Sequence, residues 1–305
     1  MTLKTRFCKT AHLLFILFLA IQFLPNQISK PDAAAYAVGF AAAVELLLLI
    51  ASATAKKRAG LNLPADIAAF LYVLLIAWTL ATAKGNLLKE MLFPPPGVVF
   101  QQCAEDIPQL LGHIGSSLAL IAQGYLLALA AAVPLGLALG YSVRVGSAAT
   151  YIAKFLGAIP PVVYIPYGIA LLPSFRAVSV LVIFLASFWP ILAGTMSGVL
   201  YVEQRILDSA RALNVGRGTM LFRIILSAAL PQIFIGCGQG LTVSFILLTS
   251  AEMIGARSGM GFYVKNYSDL GNYTRTIVGV LVIGVVISVV FFLFNKLQKF
   301  LLRWK

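Results

Sequence analysis

Eight apolar runs, each near the length that crosses a bilayer, constrain this chain more than any other feature. A helix needs about 20 mostly apolar residues to span the hydrocarbon core. Such runs lie at 11–28, 33–55, 65–83, 116–141, 151–172, 177–199, 231–251 and 276–294. The first is short and ends near Pro25, the fifth is interrupted by Pro160, Pro161 and Pro166, and the sixth holds Pro190. Proline frees backbone groups that neighbouring helices or water must satisfy at membrane depth. Of the 305 residues 60% are hydrophobic and 11% charged, with mean hydropathy +0.94. Soluble domains are roughly a quarter charged. The expected fold is an all-α membrane protein with about eight transmembrane helices.

The net charge of +13 would suggest nucleic acid in a soluble protein, but its distribution argues otherwise. With the N-terminus inside, 16 of the 23 Lys and Arg residues fall on the inside, near both termini and around 56–58, 144–154 and 205–223. The other seven are Lys30, Lys84, Lys89, Arg176, Arg257, Lys265 and Arg275. Positive residues prefer the cytoplasmic side, so both termini are expected inside and no nucleic-acid partner is implied. Lys4 to Lys9 with the apolar run to Leu24 also has the look of a signal peptide, with Ala33-Ala34-Ala35 as a cleavage site. The length of 25–35 favours a retained span, and removal would leave the topology of every later span unchanged. Cys8, Cys103 and Cys237 form no disulfide or zinc pattern, and His12 and His113 lack nearby ligand partners, so no metal site is expected. Between 84 and 115, Pro94-Pro95-Pro96 fixes an extended turn, followed by a candidate interfacial helix to about Gly112.

One polar stretch breaks the pattern: "ILDSARALNVGRGTMLFRIILSAALP", residues 206–231. Ile206, Ala210 and Leu213 share a face at helical spacing. Arg205 and Arg211 flank Asp208 at i−3 and i+3, where opposite charges pair. Asn214 follows this first short helix, and Asn, like Gly, tolerates the left-handed C-cap position. Gly216 and Gly218 loosen the next turn. A second helical run, with Leu221, Ile224 and Ile225 on one side, leads into the seventh span at Pro231. The stretch therefore reads as two short amphipathic helices joined by a sharp turn. Such an element either presses an apolar ridge into a partner's groove or lies solvated on the membrane surface.

The stretch resembles the "EAA" loop of permease subunits of ABC importers: Glu-Ala-Ala, three residues, Gly, nine residues, Ile-x-Leu-Pro. Asp208, Ser209 and Ala210 fall on the first three positions, Asn214 on the Gly, and Ile224, Leu226 and Ser227 on the Ile, Leu and Pro. Ala210, Ile224 and Leu226 match strictly. Asp keeps the charge, Asn keeps access to the left-handed conformation, and Ser227 departs from the Pro. "LFPPPGVVF", "SSLALIAQGYLLALAAAVPLGLALGYS", "AIPPVVYIPYGIALLPSF", "FWPILAGTMSGV" and "SAEMIGARSGMGFYV" are similar to runs of the nitrate, taurine and aliphatic-sulfonate permeases. The resemblance covers roughly 90–305. It implies a six-span core at 64–305, with a cytoplasmic coupling loop at about 202–230, and an N-terminal extension at 1–63 with two spans.

The resemblance further implies that the loop docks in a groove of a separate ABC ATPase subunit, where ATP and Mg are bound. Asp208 would order the first helix or meet the ATPase, Ala210 would allow close approach, and Asn214 would set the turn. Ser209, Arg211, Leu213, Gly216, Ile224 and Leu226 complete the expected contact. An extracytoplasmic solute-binding protein and a second permease copy are the other implied partners, in a bacterial cytoplasmic membrane. No phosphate-cradling GxxxxGK[ST], HExxH or GxSxG appears, so catalysis and a bound cofactor are not expected of this chain. For the solute pathway the candidates are Pro160, Tyr164, Pro166, Tyr167, Ser187, Trp189, Thr242 and Ser244, with Glu252 either lining the outer mouth or bonding to the following loop. Gly136 and Gly140 permit close helix packing. Glu45, near the centre of the second span, is either a proton or ion site or a neutral helix contact. An autonomous ion-coupled transporter or channel, using Glu45 or Glu252, is the alternative. A membrane enzyme or assembly factor is a third.

Overall fold

The structure is a computed structural model that describes residues 3–28, 31–54 and 62–303. Lys30, Lys56, Lys57, Arg58 and Lys305, counted above by side, lie outside the described residues. The described elements are helical. Six helices are long and apolar enough to cross a membrane. A seventh is present if Val143–Gly157 and Pro161–Leu171, bent by 60° at the expected proline break, count as one span. The expected first span lies in a helix, Leu3–Gln22, whose apolar part from Thr10 to Gln22 is shorter than the other spans.

The helices divide between two compact units, residues 1–109 with 266–280, and 110–265 with 281–305. The first holds α1 (Leu3–Gln22), α2 (Ala34–Thr54), α3 (Asn62–Thr79) and α4 (Pro96–Glu105). Buried Ala11, Ala37, Ala41, Ala65 and Ala68 bring α1, α2 and α3 close around Phe18, Tyr72 and Leu75. Into this apolar bundle the chain sets polar groups, each with partners. Glu45 pairs with His12 and accepts from the Tyr72 hydroxyl at 2.8 Å. Glu45 therefore stands at a contact between α1, α2 and α3, which supplies the partner that the sequence did not reveal for His12. Lys84 was counted as an outside loop charge; it is buried and donates to Gln22 O, Leu24 O and Asn26 Oδ1 at 3.1, 2.7 and 2.6 Å. Pro95 is extended, at φ −59° and ψ 149°, and Pro96 opens α4, where its missing N–H costs nothing. Burial, and then the Asp106 carboxylate, push the Cys103 thiol in α4 up from its ordinary range, which keeps it protonated and slow to react.

The second unit contains most of α5 (Ile107–Gly140), α6 (Val143–Gly157), α7 (Tyr164–Leu171), α8 (Phe175–Leu200), α9 (Gln204–Ala212), α10 (Arg217–Thr219), α11 (Leu226–Gly255) and α12 (Met260–Asp269). The last helix, α13 (Tyr273–Leu301), lies partly in each unit. The fourth apolar run begins at Ile107 rather than 116, because the polar residues before 116 continue the helix from Pro108 in its first turn. Glycine lets α8 and α11 touch backbone to backbone. A Cβ on Gly236 would stand 2.6 Å from Pro190 O, and one on Gly194 2.9 Å from the Gly236 Cα. Gly136 and Gly140 pack on Thr195 and Val199 of α8, as their spacing led us to expect. Gly124 packs likewise on Ile183. The constant offset makes α5 and α8 parallel.

Candidate functional site

The polar stretch forms one free helix and the extension of a spanning one. Helix α9 ends in a Schellman motif. The Asn214 N–H donates to Arg211 O at 2.9 Å and the Val215 N–H to Ala210 O at 3.1 Å. Asn214 has φ +50°, the left-handed conformation expected of it. Asp208 Oδ1 accepts from Arg211 and Gln204, both at 3.0 Å. Arg205, expected to flank it, approaches Glu203 instead, at 4.0 Å.

The expected shared face divides. Ala210 turns inward, 5% exposed, into the cluster with Leu137, Val199 and Met220. Ile206 and Leu213 face out, 41% and 78% exposed. Leu213 lies beyond the helical stripe because it is the C-cap residue, at ψ 9°. Ser209 and Arg211 are exposed, as is Gly216, which opens α10 in an extended conformation.

The second short helix does not stand apart. Arg217–Thr219 passes through π-helical Met220–Ile225 into α11, and Pro231 lies inside that helix. Met220 and Ile225 are buried, while Ile224 and Leu226 are half-buried. A cavity of about 180 Å³ separates Leu207 and Arg211 of α9 from Gly140 and Val199 at the ends of α5 and α8. A rigid, outward-facing helix thus sits beneath the core helices and is joined to one of them.

The pathway candidates scatter. Pro160, Tyr164, Pro166 and Tyr167 cluster at the break between α6 and α7, with Tyr167 exposed and Tyr164 half-buried. Ser187 and Ser244 are fully buried and bonded to each other at 2.7 Å, which places them in the α8–α11 contact rather than in a cavity. Thr242 is exposed and bonds back to Gly238 O. Trp189 lines a cavity of about 740 Å³.

Glu252 is 1% exposed and fastens the loop after α11. It accepts from Ser117 Oγ at 2.6 Å and from the Gly261 N–H at 2.7 Å. Ser117 Oγ accepts in turn from the Met260 N–H, and His113 Nδ1 from the Gly259 N–H. Gly259 has φ +123°, and a Cβ there would lie 2.2 Å from the carboxylate, so only glycine fits. The sequence reading missed Ser117, His113 and Gly259. The paired Gly259 and Gly261 after a membrane-edge glutamate were the available signal.

Residues 132–305 match the family described as binding-protein-dependent transport system inner membrane component. The chain is 30% identical over 177 residues to a nitrate import permease protein of Leptolyngbya laminosa. That alignment covers 58% of this chain and 63% of the relative, just under two thirds of its length. It is 28% identical over 243 residues to the taurine transport system permease protein of Escherichia coli, covering 76% and 86%. A putative aliphatic sulfonates transport permease protein of Bacillus subtilis is 25% identical over 248 residues, covering 81% and 87%.

Proposed function

Because the chain belongs to the family of binding-protein-dependent transport system inner membrane components, we propose that it is the membrane subunit of an ATP-driven importer for a small solute bearing an oxyanion group. The family is one of transport permeases rather than enzymes, and the apolar helices make the chain a multi-pass inner-membrane protein. Its relatives are permeases for nitrate, taurine and sulfonates, and that range supports the solute class. In this reading two copies form the pathway and two separate ATPase subunits bind ATP and Mg on the cytoplasmic side. A solute-binding protein delivers solute from outside. Both termini and α9 face the cytoplasm.

The observation that carries the coupling is the exposure of Ile206 on α9 and of Leu213 at its C-cap, at a turn set by Asn214 and followed by continuous helix from Arg217 into α11. An apolar ridge on a rigid helix fits a partner's groove. Because α11 meets α8 through Gly194 and Gly236 without intervening side chains, a push on the loop passes to both helices as a rigid displacement, a route for two-state switching. Asp208 orders α9 through Gln204 and Arg211, while Ala210 seats it on the core.

The test is uptake of nitrate, taurine and an alkanesulfonate by cells with and without the chain. Uptake should follow cellular ATP and persist when a protonophore collapses the proton gradient. Uptake that vanishes with the gradient at constant ATP would favour an ion-coupled transporter.

A further inference from the structure

Two concavities lie along the α5–α8 face, one toward each end. The first, about 480 Å³, is lined by Gln123, Leu127 and Arg176 among others, and it ends at Phe184. The second, about 740 Å³, begins at Phe188 and Trp189 and reaches Arg144. Phe184 and Phe188 stack between them with ring centroids 5.3 Å apart. Since α5 and α8 are parallel, Arg176 in the first turn of α8 and Arg144 just past α5 stand at opposite ends of the face. Arg144 is at the end that carries α9, where Gly140 meets the loop cavity.

Gln123 sits at the middle of the 34-residue α5, exposed, with no hydrogen-bond partner among the described residues. An amide left bare on a spanning helix is costly against lipid, so a polar environment beside it is the arrangement of lower energy. Arg144 and Arg176 have no ion-pair partner among the described residues. The walls between these groups are apolar. A cation and a donor amide in the first concavity and a cation at the far end of the second, with a stacked aromatic pair of α8 between them, form an arrangement complementary to an anion, since guanidinium and amide N–H groups donate to oxyanion oxygens.

We propose that the α5–α8 groove is one wall of the solute pathway, with Gln123 and Arg176 receiving the oxyanion before the Phe184–Phe188 pair and Arg144 after it. This rests on the importer reading above. The groove, not the buried Ser187–Ser244 pair, then selects the solute.

Thiol labelling in membranes tests it. In a chain with Cys8, Cys103 and Cys237 replaced by serine, Gln123→Cys is compared with Val285→Cys, exposed on α13. The reagents are water-soluble methanethiosulfonates bearing a sulfonate or a trimethylammonium group, with rates normalised to those of a free thiol. Gln123→Cys should react at least about tenfold faster than Val285→Cys and favour the anionic reagent by a similar factor, of the size that charged clefts impose. Arg176→Ala should abolish that preference. Equal slow labelling of both cysteines would mean a lipid-filled groove and overturn the proposal. An anionic preference that survives Arg176→Ala would overturn the role of Arg176. If Gln123→Cys does not accumulate, Leu127→Cys one turn on reads the same cavity. Labelling needs no ATPase, so failure of the importer reading, seen as gradient-driven uptake, leaves this result separately legible.

Discussion

In the unit built from residues 1–109 and 266–280, buried polar side chains join helices that close through alanine, whereas in the unit built from 110–265 and 281–305 glycine brings α8 and α11 into backbone contact beside buried polar pairs such as Ser187–Ser244 and Ser117–Glu252. Glu45, His12 and Tyr72 join three helices of the first. Lys84 ties the end of α1, and Asp106 accepts two bonds from Arg275 at 2.8 and 3.1 Å. In the second, Gly194, Gly236 and Gly240 bring α8 and α11 into backbone contact. Lipid is as apolar as leucine, so helices in it associate through packing and hydrogen bonds rather than the hydrophobic effect. Polar contacts yield a bond at a time. Backbone contacts yield all at once, and they transmit displacement.

Five substitutions sharpen this contrast. Gly236→Val should be the most damaging, at about 3 kcal/mol or more from overpacking, seen as early thermal unfolding in detergent. Gly39→Val in α2, where nothing lies within 4 Å of the added carbon, should be near neutral; equal damage would erase the distinction. Lys84→Met should cost about 1–3 kcal/mol in the same assay, because it strands carbonyls at the end of α1. Tyr72→Phe removes one interhelical bond and should cost about 1 kcal/mol. Of the substitutions that remove a polar bond, Ser187→Ala should cost least, about 0.6 kcal/mol, since Ser244 keeps its bond to Gly240 O. A larger loss there than at Tyr72 would mean that the core, too, is held by polar bonds.

Spans were legible because membrane depth imposes a simple length rule, and the turn at Asn214 because few residues adopt positive φ. Helix ends were not: α5 starts early, since Gln109, His113 and Ser116 suit a helix as well as a loop. Long-range pairings left no mark. His12 and Glu45 lie 33 residues apart, Ser117 and Glu252 lie 135 apart, and spacing along the chain says nothing about which apolar runs become neighbours. Lys84 looked like a loop charge because nothing local announces a buried lysine. The second half of the polar stretch was read as a short helix leading into the seventh span at Pro231, and the structure makes it continuous with α11, which runs through Pro231.

The most direct test of the account is purification of the tagged chain in mild detergent from its host's membranes, with ATPase measured in the eluate. The account predicts a stoichiometric ATPase with the wild-type chain. It predicts loss of that ATPase with Ile206→Asp and Leu213→Asp combined, the chain remaining folded because both side chains already face outward. A wild-type chain that emerges alone and inert, or a variant that keeps its ATPase, would contradict it.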